Sequence, residues 1–514
     1  MDMEREKSDR ERNKGQWKPA LITVAVVAIL IMFIATIFAV LGDGKKSGDA
    51  ASRETGTRGE AETGEAATEE VKETGEKAKR AEETREKAEG IGEAEEEIRE
   101  GAEEVTGKAT EEQVESDISE NIVTSLQDDK KIEILNGKSV DEAISGQDKG
   151  TETDLERYEK KYKKEAEDIL AGMTLEEKVY QMFIITPEQL TGVKPVTVAE
   201  STTKDSLQKY PVGGLVYFSS NLVNGGQTSE MLENSQRYAL EIEGLPLFLC
   251  VDEEGGRIAR VANNAAFGLS RTKAMGKMES AEEAFEAGGA IGRYLSELGF
   301  NVDFAPDADV LTNSANTVIG DRSFGDDSGK VTEYAAAYSD GLHLSGVCST
   351  FKHFPGHGAT AGDTHEGFAY IDKTLEELKE NELIPFAAAR DEGVDLVMVS
   401  HISVPAVLGD NTPCTLSRYM VTGVLREEMG YKGLIITDAM NMGAITKAYD
   451  NDQAVVDAVS AGADLILMPV DFRSASDAVI AAARSGEIDP ASIDESVKRI
   501  IVKKLCLMEE MNED

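Results

Sequence analysis

Three of the chain's five histidines fall in two neighbouring motifs, Lys352-His-Phe-Pro-Gly-His-Gly358 and Asp363-Thr-His365. A histidine titrates near neutral pH and can give and take a proton within one catalytic cycle. Asp363, placed just before His365, can hold that imidazole's tautomer and raise its basicity. Gly356, Gly358 and Gly362 predict a mobile loop that closes over a substrate. A zinc site built on His353 and His357 fails on geometry, because Pro355 and Gly356 lie between them and break the helix that an HExxH site needs. A phosphate loop fails too, since neither the glycine spacing nor the lysine placement matches.

Residues able to do chemistry also recur at the ends of short apolar runs: Asp252 and Glu253, Asp307 and Asp309, Lys352 and His353, His401, and Asp438. The runs span 182–185, 214–218, 246–251, 302–305, 348–351, 396–399, 434–436 and 465–468. Between most of them lie helical or polar stretches, for example 281–298, 374–392 and 452–461. Strands alternating with helices indicate a parallel sheet, and eight such units indicate an α/β fold of the single (β/α)8 TIM-barrel type. A barrel of this kind gathers the residues at the C-terminal ends of its strands into one mouth. The first helix is predicted to start at Thr174, where Thr174-Leu-Glu-Glu177 reads as a capping box.

The rest of the 514-residue chain is organised differently. Residues 20–41 form an uncharged apolar run, long enough to cross a bilayer as a helix. No convincing cleavage site follows, which favours an uncleaved anchor. Six Lys and Arg residues precede it, favouring a cytoplasmic tail at 1–19. Residues 42–154 form an acidic, low-complexity spacer. Between 43 and 148 acidic residues outnumber basic ones about two to one, and Phe, Tyr, Trp and Pro are absent. Such a stretch cannot bury enough apolar surface to offset its chain entropy, so a solvated, disordered tether is expected. The catalytic part is then 155–514, facing the outside of the membrane. The formal net charge of −43, with no Lys/Arg cluster, argues against a nucleic-acid partner. The four cysteines are widely spaced and read as free thiols.

These motifs resemble glycoside hydrolase family 3, in its β-N-acetylglucosaminidase (β-hexosaminidase) branch. The likeness runs from Met173-Thr-Leu-Glu-Glu-Lys178 through Val251-Asp-Glu-Glu-Gly-Gly-Arg257, Asp303-Phe-Ala-Pro-Asp307, Gly320-Asp-Arg-Ser-Phe-Gly325 and the Lys352–His365 segment to Gly433-Leu-Ile-Ile-Thr-Asp438. The resemblance implies a retaining double displacement, with Asp438 as nucleophile, His365 as acid/base and Asp363 as its partner. This departs from the usual pair of carboxylates. It further implies that Asp252, Arg260, Arg322, Lys352 and His353 hold the hydroxyls and N-acetyl group of a bound sugar, with no metal or organic cofactor. Tyr180 and Thr364 stand where many relatives have Gly and Ser. Only about 75 residues follow Asp438, so the second α/β domain of many relatives is not expected.

The expectation is an exo-acting enzyme on N-acetylglucosamine-containing glycans, with peptidoglycan fragments as the natural substrate of an outward-facing domain. A β-glucosidase on the same barrel is disfavoured by the Lys352–His365 segment. A glycosyl phosphorylase is harder to separate, because a histidine acid/base carries no negative charge to repel phosphate. A non-catalytic wall-binding protein would be expected to have lost Asp438, Asp363 or His365, and all three are present.

Overall fold

The computed structural model describes residues 154–360 and 369–513. The tail, the apolar run at 20–41 and nearly all of the acidic spacer lie outside the described residues, among which no helix is long and apolar enough to cross a membrane.

Among the described residues ten strands occur in chain order: β1 (Phe183–Ile185), β2 (Gly214–Val216), β3 (Phe248–Val251), β4 (Glu253–Gly255), β5 (Ile258–Ala259), β6 (Val302–Asp303), β7 (Thr350–Phe354), β8 (Leu396–Val399), β9 (Leu434–Thr437) and β10 (Ile466–Leu467). Eight of them match the eight predicted runs. They pair in parallel as β10-β1-β2-β3-β6 and as β7-β8-β9. Parallel bridges from Val302 to Cys348 and from Asp307 to Lys352 join β6 to β7. A bridge from Ile436 to Leu465 joins β9 to the approach of β10, and the sheet closes into the predicted eight-stranded barrel. The barrel strands are buried along their length because one face packs into the barrel and the other under the helices.

The helices begin and end where the sequence carries caps. Thr174 and Glu177 form the predicted capping box before Leu175–Gln181. Ser280 caps Ala281–Leu298 and Asp450 caps Asn451–Ala461, and both helices stop at a left-handed glycine, Gly299 and Gly462. The stretch 374–392 differs from expectation, splitting into Leu375–Lys379 and Ile384–Ala388. Pro385 lies in the first turn of the second helix, where its missing N–H costs little, whereas a continuous helix would clash with its ring. The antiparallel β4–β5 hairpin was not predicted; Gly255 and Gly256, at φ +87° and +53°, make its tight turn possible. All four cysteines are buried, and none is in a disulfide.

Candidate active site

Glu254 is the hub of the barrel mouth. Arg322 grips it with two bonds, Nε to Oε2 at 2.8 Å and Nη2 to Oε1 at 2.7 Å. Lys352 Nζ stands 2.6 Å from the same Oε1 and donates to Asp252 Oδ1 at 3.1 Å. Arg260 reaches the other Asp252 oxygen at 3.6 Å and lies over the Phe218 ring, 5.7 Å from its centroid. Arg322 Nη2 is also 3.3 Å from His353 Nε2. Asp252, Arg260, Arg322, Lys352 and His353, the residues that the resemblance assigns to sugar binding, therefore form one connected network. Neighbouring residues of a regular strand point to opposite faces. A bulge in the β7–β8 register between Lys352 and Phe354 accompanies the arrival of both Lys352 and His353 in this network.

The network fixes its own charges. Burial pushes the Glu254 carboxyl upward, but Arg322 and Lys352 outweigh it and hold Glu254 well below the usual carboxylate range. Burial likewise works against the charge on Lys352, and Glu254 and Asp252 reverse that effect and raise it. Both partners thus stay ionised. Arg322 keeps 12 % of its side chain exposed, Asp252 21 % and Arg260 32 %, which leaves polar atoms to meet a ligand.

Behind this layer lies a second group. Asp309 Oδ2 pairs with His353 Nδ1 at 2.7 Å, while Asp309 Oδ1 accepts the backbone N–H groups of His353 and His357. Burial opposes the charge on Asp309, but His353 and these bonds win and lower it. Asp307 is the opposite case, since burial and then the neighbouring Asp309 carboxylate push it well up. Among the described residues, Asp307, Asp309 and His353 could offer three metal ligands within 4.8 Å of one another. The set is a poor fit for a divalent cation. Arg322 Nη2 already lies 3.5 Å from Asp307 Oδ2, and a metal ion there would face a guanidinium at contact distance.

Asp438 follows β9 directly. Its backbone N–H bonds Val399 O, and its half-buried carboxylate accepts the N–H of Ala439 at 2.7 Å. His401, at the end of β8, steadies that turn, with Nε2 3.0 Å from Ala439 O and Nδ1 2.9 Å from Thr415 Oγ1. A carbonyl can only accept, so His401 Nε2 carries the hydrogen. His357 is lowered to about 4, first by burial and then by His353, while Asp438, directly after the last residue of β9, stands at the strand end that opens on the mouth.

Asp363, Thr364, His365 and Gly362 lie outside the described residues. The expectation of a mobile loop at Gly356 and Gly358 is corrected: both are buried and tightly packed. A Cβ on Gly356 would come 2.8 Å from Glu382 Cβ, and one on Gly358 would come 2.3 Å from Val310 O. These glycines serve close approach of the backbone. Sequence reasoning gave no role to Glu254, quoted only within a motif, weighed His357 only as a zinc ligand, and named Asp309 and His401 only as strand-end residues. Glu253, which it singled out, turns into the core and accepts the N–H groups of Val261 and Ala262 and the hydroxyl of Tyr294.

The profile of the "Glycosyl hydrolase family 3 N terminal domain" matches residues 174–502. The chain belongs to glycosyl hydrolase family 3. Among its relatives in the family is Beta-hexosaminidase A of Pseudoalteromonas piscicida, 32% identical over 299 residues, which covers 55% of this chain and 50% of that protein. Beta-hexosaminidase LpqI of Mycobacterium tuberculosis is 35% identical over 268 residues, covering 51% of this chain and 68% of that one. A solved structure, the family 3 beta-N-acetylglucosaminidase from Paenibacillus sp. str. FPU-7, is 36% identical with a TM-score of 0.61 over 66% of this chain and 63% of its own. The family 3 barrel is thus the shared part, and the chain spans only half the length of the first of these relatives.

Proposed function

We propose that this family 3 barrel is a retaining exo-β-N-acetylglucosaminidase. The observation that carries the reading is the convergence of Asp252, Arg260, Arg322, Lys352 and His353 into one charged network at the barrel mouth that also holds Asp438. Its relatives named beta-hexosaminidases point the same way. Guanidinium, ammonium and carboxylate groups make charge-assisted bonds to hydroxyls and so orient a sugar ring. Asp438 attacks the anomeric carbon and forms a glycosyl-enzyme. His365 protonates the departing oxygen and then deprotonates the incoming water, with Asp363 holding its tautomer.

Wild type and Asp438→Ala are compared on an aryl N-acetyl-β-glucosaminide, with the first-formed anomer read by NMR. The variant is expected to lose activity by on the order of 1,000-fold or more, and wild type to release the β-anomer first. Equal rates in the two proteins would refute the assignment. A sugar phosphate formed when phosphate is added would make the enzyme a phosphorylase.

The same reading places the domain outside the membrane, tethered by residues 20–41 and the acidic spacer, with peptidoglycan fragments as substrate. Protease added to intact cells is expected to shed an active fragment. Retention of all activity on the cells, while permeabilised controls are cut, would place the domain inside.

A further inference from the structure

The Nη2 atom of Arg322 carries two hydrogens. One goes to Glu254 Oε1 at 2.7 Å. The other faces two acceptors, His353 Nε2 at 3.3 Å and Asp307 Oδ2 at 3.5 Å. His353 Nδ1 meets the carboxylate of Asp309 at 2.7 Å, so Nδ1 carries the ring hydrogen and Nε2 presents a lone pair to Arg322. A sugar hydroxyl that donates to His353 Nε2 must displace Arg322 from that lone pair.

The displaced hydrogen has a place to go. Asp307 is fully buried; one of its oxygens accepts the N–H of Asp309, and the other, Oδ2, has no hydrogen-bond partner. A buried acceptor left unmade is costly, and native structures keep few of them. A movement of roughly 0.5 Å would bring Arg322 Nη2 within ordinary hydrogen-bond distance of it. We propose that Asp307 is a positioning residue for sugar binding: it takes over the Nη2 hydrogen of Arg322 when a sugar hydroxyl engages His353. Arg322 then never faces a desolvated site with an unpaired donor, and His353 is released without disturbing the Glu254 hub. The idea rests on the sugar-binding role proposed above for Arg322 and His353. It assigns Asp307 no contact with substrate, in keeping with its complete burial.

The test uses the full chain with Asp307→Val, which removes the acceptor, and Asp307→Asn, which keeps a neutral one. Binding of N-acetylglucosamine is followed by calorimetry, and hydrolysis on an aryl N-acetyl-β-glucosaminide. Asp307→Val is expected to raise both Kd and KM about 10-fold, the loss of roughly one hydrogen bond, with kcat within about twofold and thermal stability lowered, because the buried N–H of Asp309 also loses its acceptor. Asp307→Asn is expected to restore both constants. In a His353→Ala background, Asp307→Val should have no further effect on Kd, because no lone pair is then contested. Wild-type Kd and KM in Asp307→Val would overturn the proposal. So would a joint loss of kcat and stability that Asp307→Asn does not rescue, since that marks a packing role. A wild-type protein that neither binds the sugar nor cleaves the glycoside removes the functional reading and this inference together. An active wild type indifferent to Asp307→Val removes this inference alone.

Discussion

The two ends of the barrel both carry buried ion pairs, but they complete them differently. At the base, before the strands begin, each carboxylate is saturated. Asp464 accepts from Arg426, from Arg499 and from the backbone N–H of Ile435. Asp395 accepts from Lys503 and from the backbone N–H of Ser349, and pairs with His343. At the mouth the bonding is incomplete. Asp307 Oδ2, Asp303 Oδ2 and Arg260 Nε are all buried without a hydrogen-bond partner. A saturated network holds elements together, while an unsaturated one has bonds left to make when a ligand arrives. Barrels separate stability from chemistry in this way, with conserved function at the C-terminal face of the strands. A cavity of about 260 Å³ does open at the base, beside Tyr158, Arg426, Arg499 and Lys503. Its guanidiniums and Lys503 are already committed to Asp464 and Asp395.

The contrast is most directly broken at Asp464. Asp464→Asn leaves two largely buried guanidiniums facing a neutral amide, and removing one partner of a buried pair costs about 3–5 kcal/mol. Arg426 feels this most: its burial already lowers it against the pull of Asp464. The expected result is a large drop in unfolding free energy by denaturant titration, with KM for the glycoside unchanged in the protein that remains folded. A variant of normal stability with altered KM would mean that the base takes part in sugar binding, and the division of labour would fail.

How much of this was visible beforehand follows from the range of each interaction. The eight strands were legible because a doubly buried parallel strand is a continuous apolar run, and Leu396–Val399 and Leu434–Thr437 are of that kind. The helix start at Thr174 was legible because a cap is a local bond to a backbone N–H a few residues on. The charged network at the mouth became legible only through resemblance. Glu254 and Arg322 are 68 residues apart in sequence, and nothing local says that they meet. The packing of Gly356 against Glu382 was hidden for the same reason, and a glycine needed for close approach looked like one needed for motion. Glu253 and Glu254 are adjacent identical residues with opposite fates, one turned to the core and the other to the mouth, and composition cannot tell them apart.

A subtler probe of the base is Lys504, on the last helix. It is buried with its ammonium on Gln181 Oε1 at 2.7 Å and over the Phe248 ring at 5.3 Å. Burial, only partly offset by Glu243, lowers it from 10.5 to about 7. The sign follows from linkage. Between about pH 7 and 10.5 the unfolded chain holds the Lys504 proton and the folded one releases it, so stability rises with pH across that window. Below pH 7 both states hold the proton and the contribution is flat. From pH 7 to pH 9 the gain is about 2–3 kcal/mol. Lys504→Met keeps the stem and removes the titration. The difference in unfolding free energy between wild type and Lys504→Met is therefore expected to shift in favour of wild type as pH rises from 7 to 9, while their pH profiles for glycoside cleavage stay superimposed. Stability curves that run parallel over that range would show that Lys504 keeps its proton in the fold. A shifted activity profile would show that this end of the barrel is electrically coupled to the mouth after all.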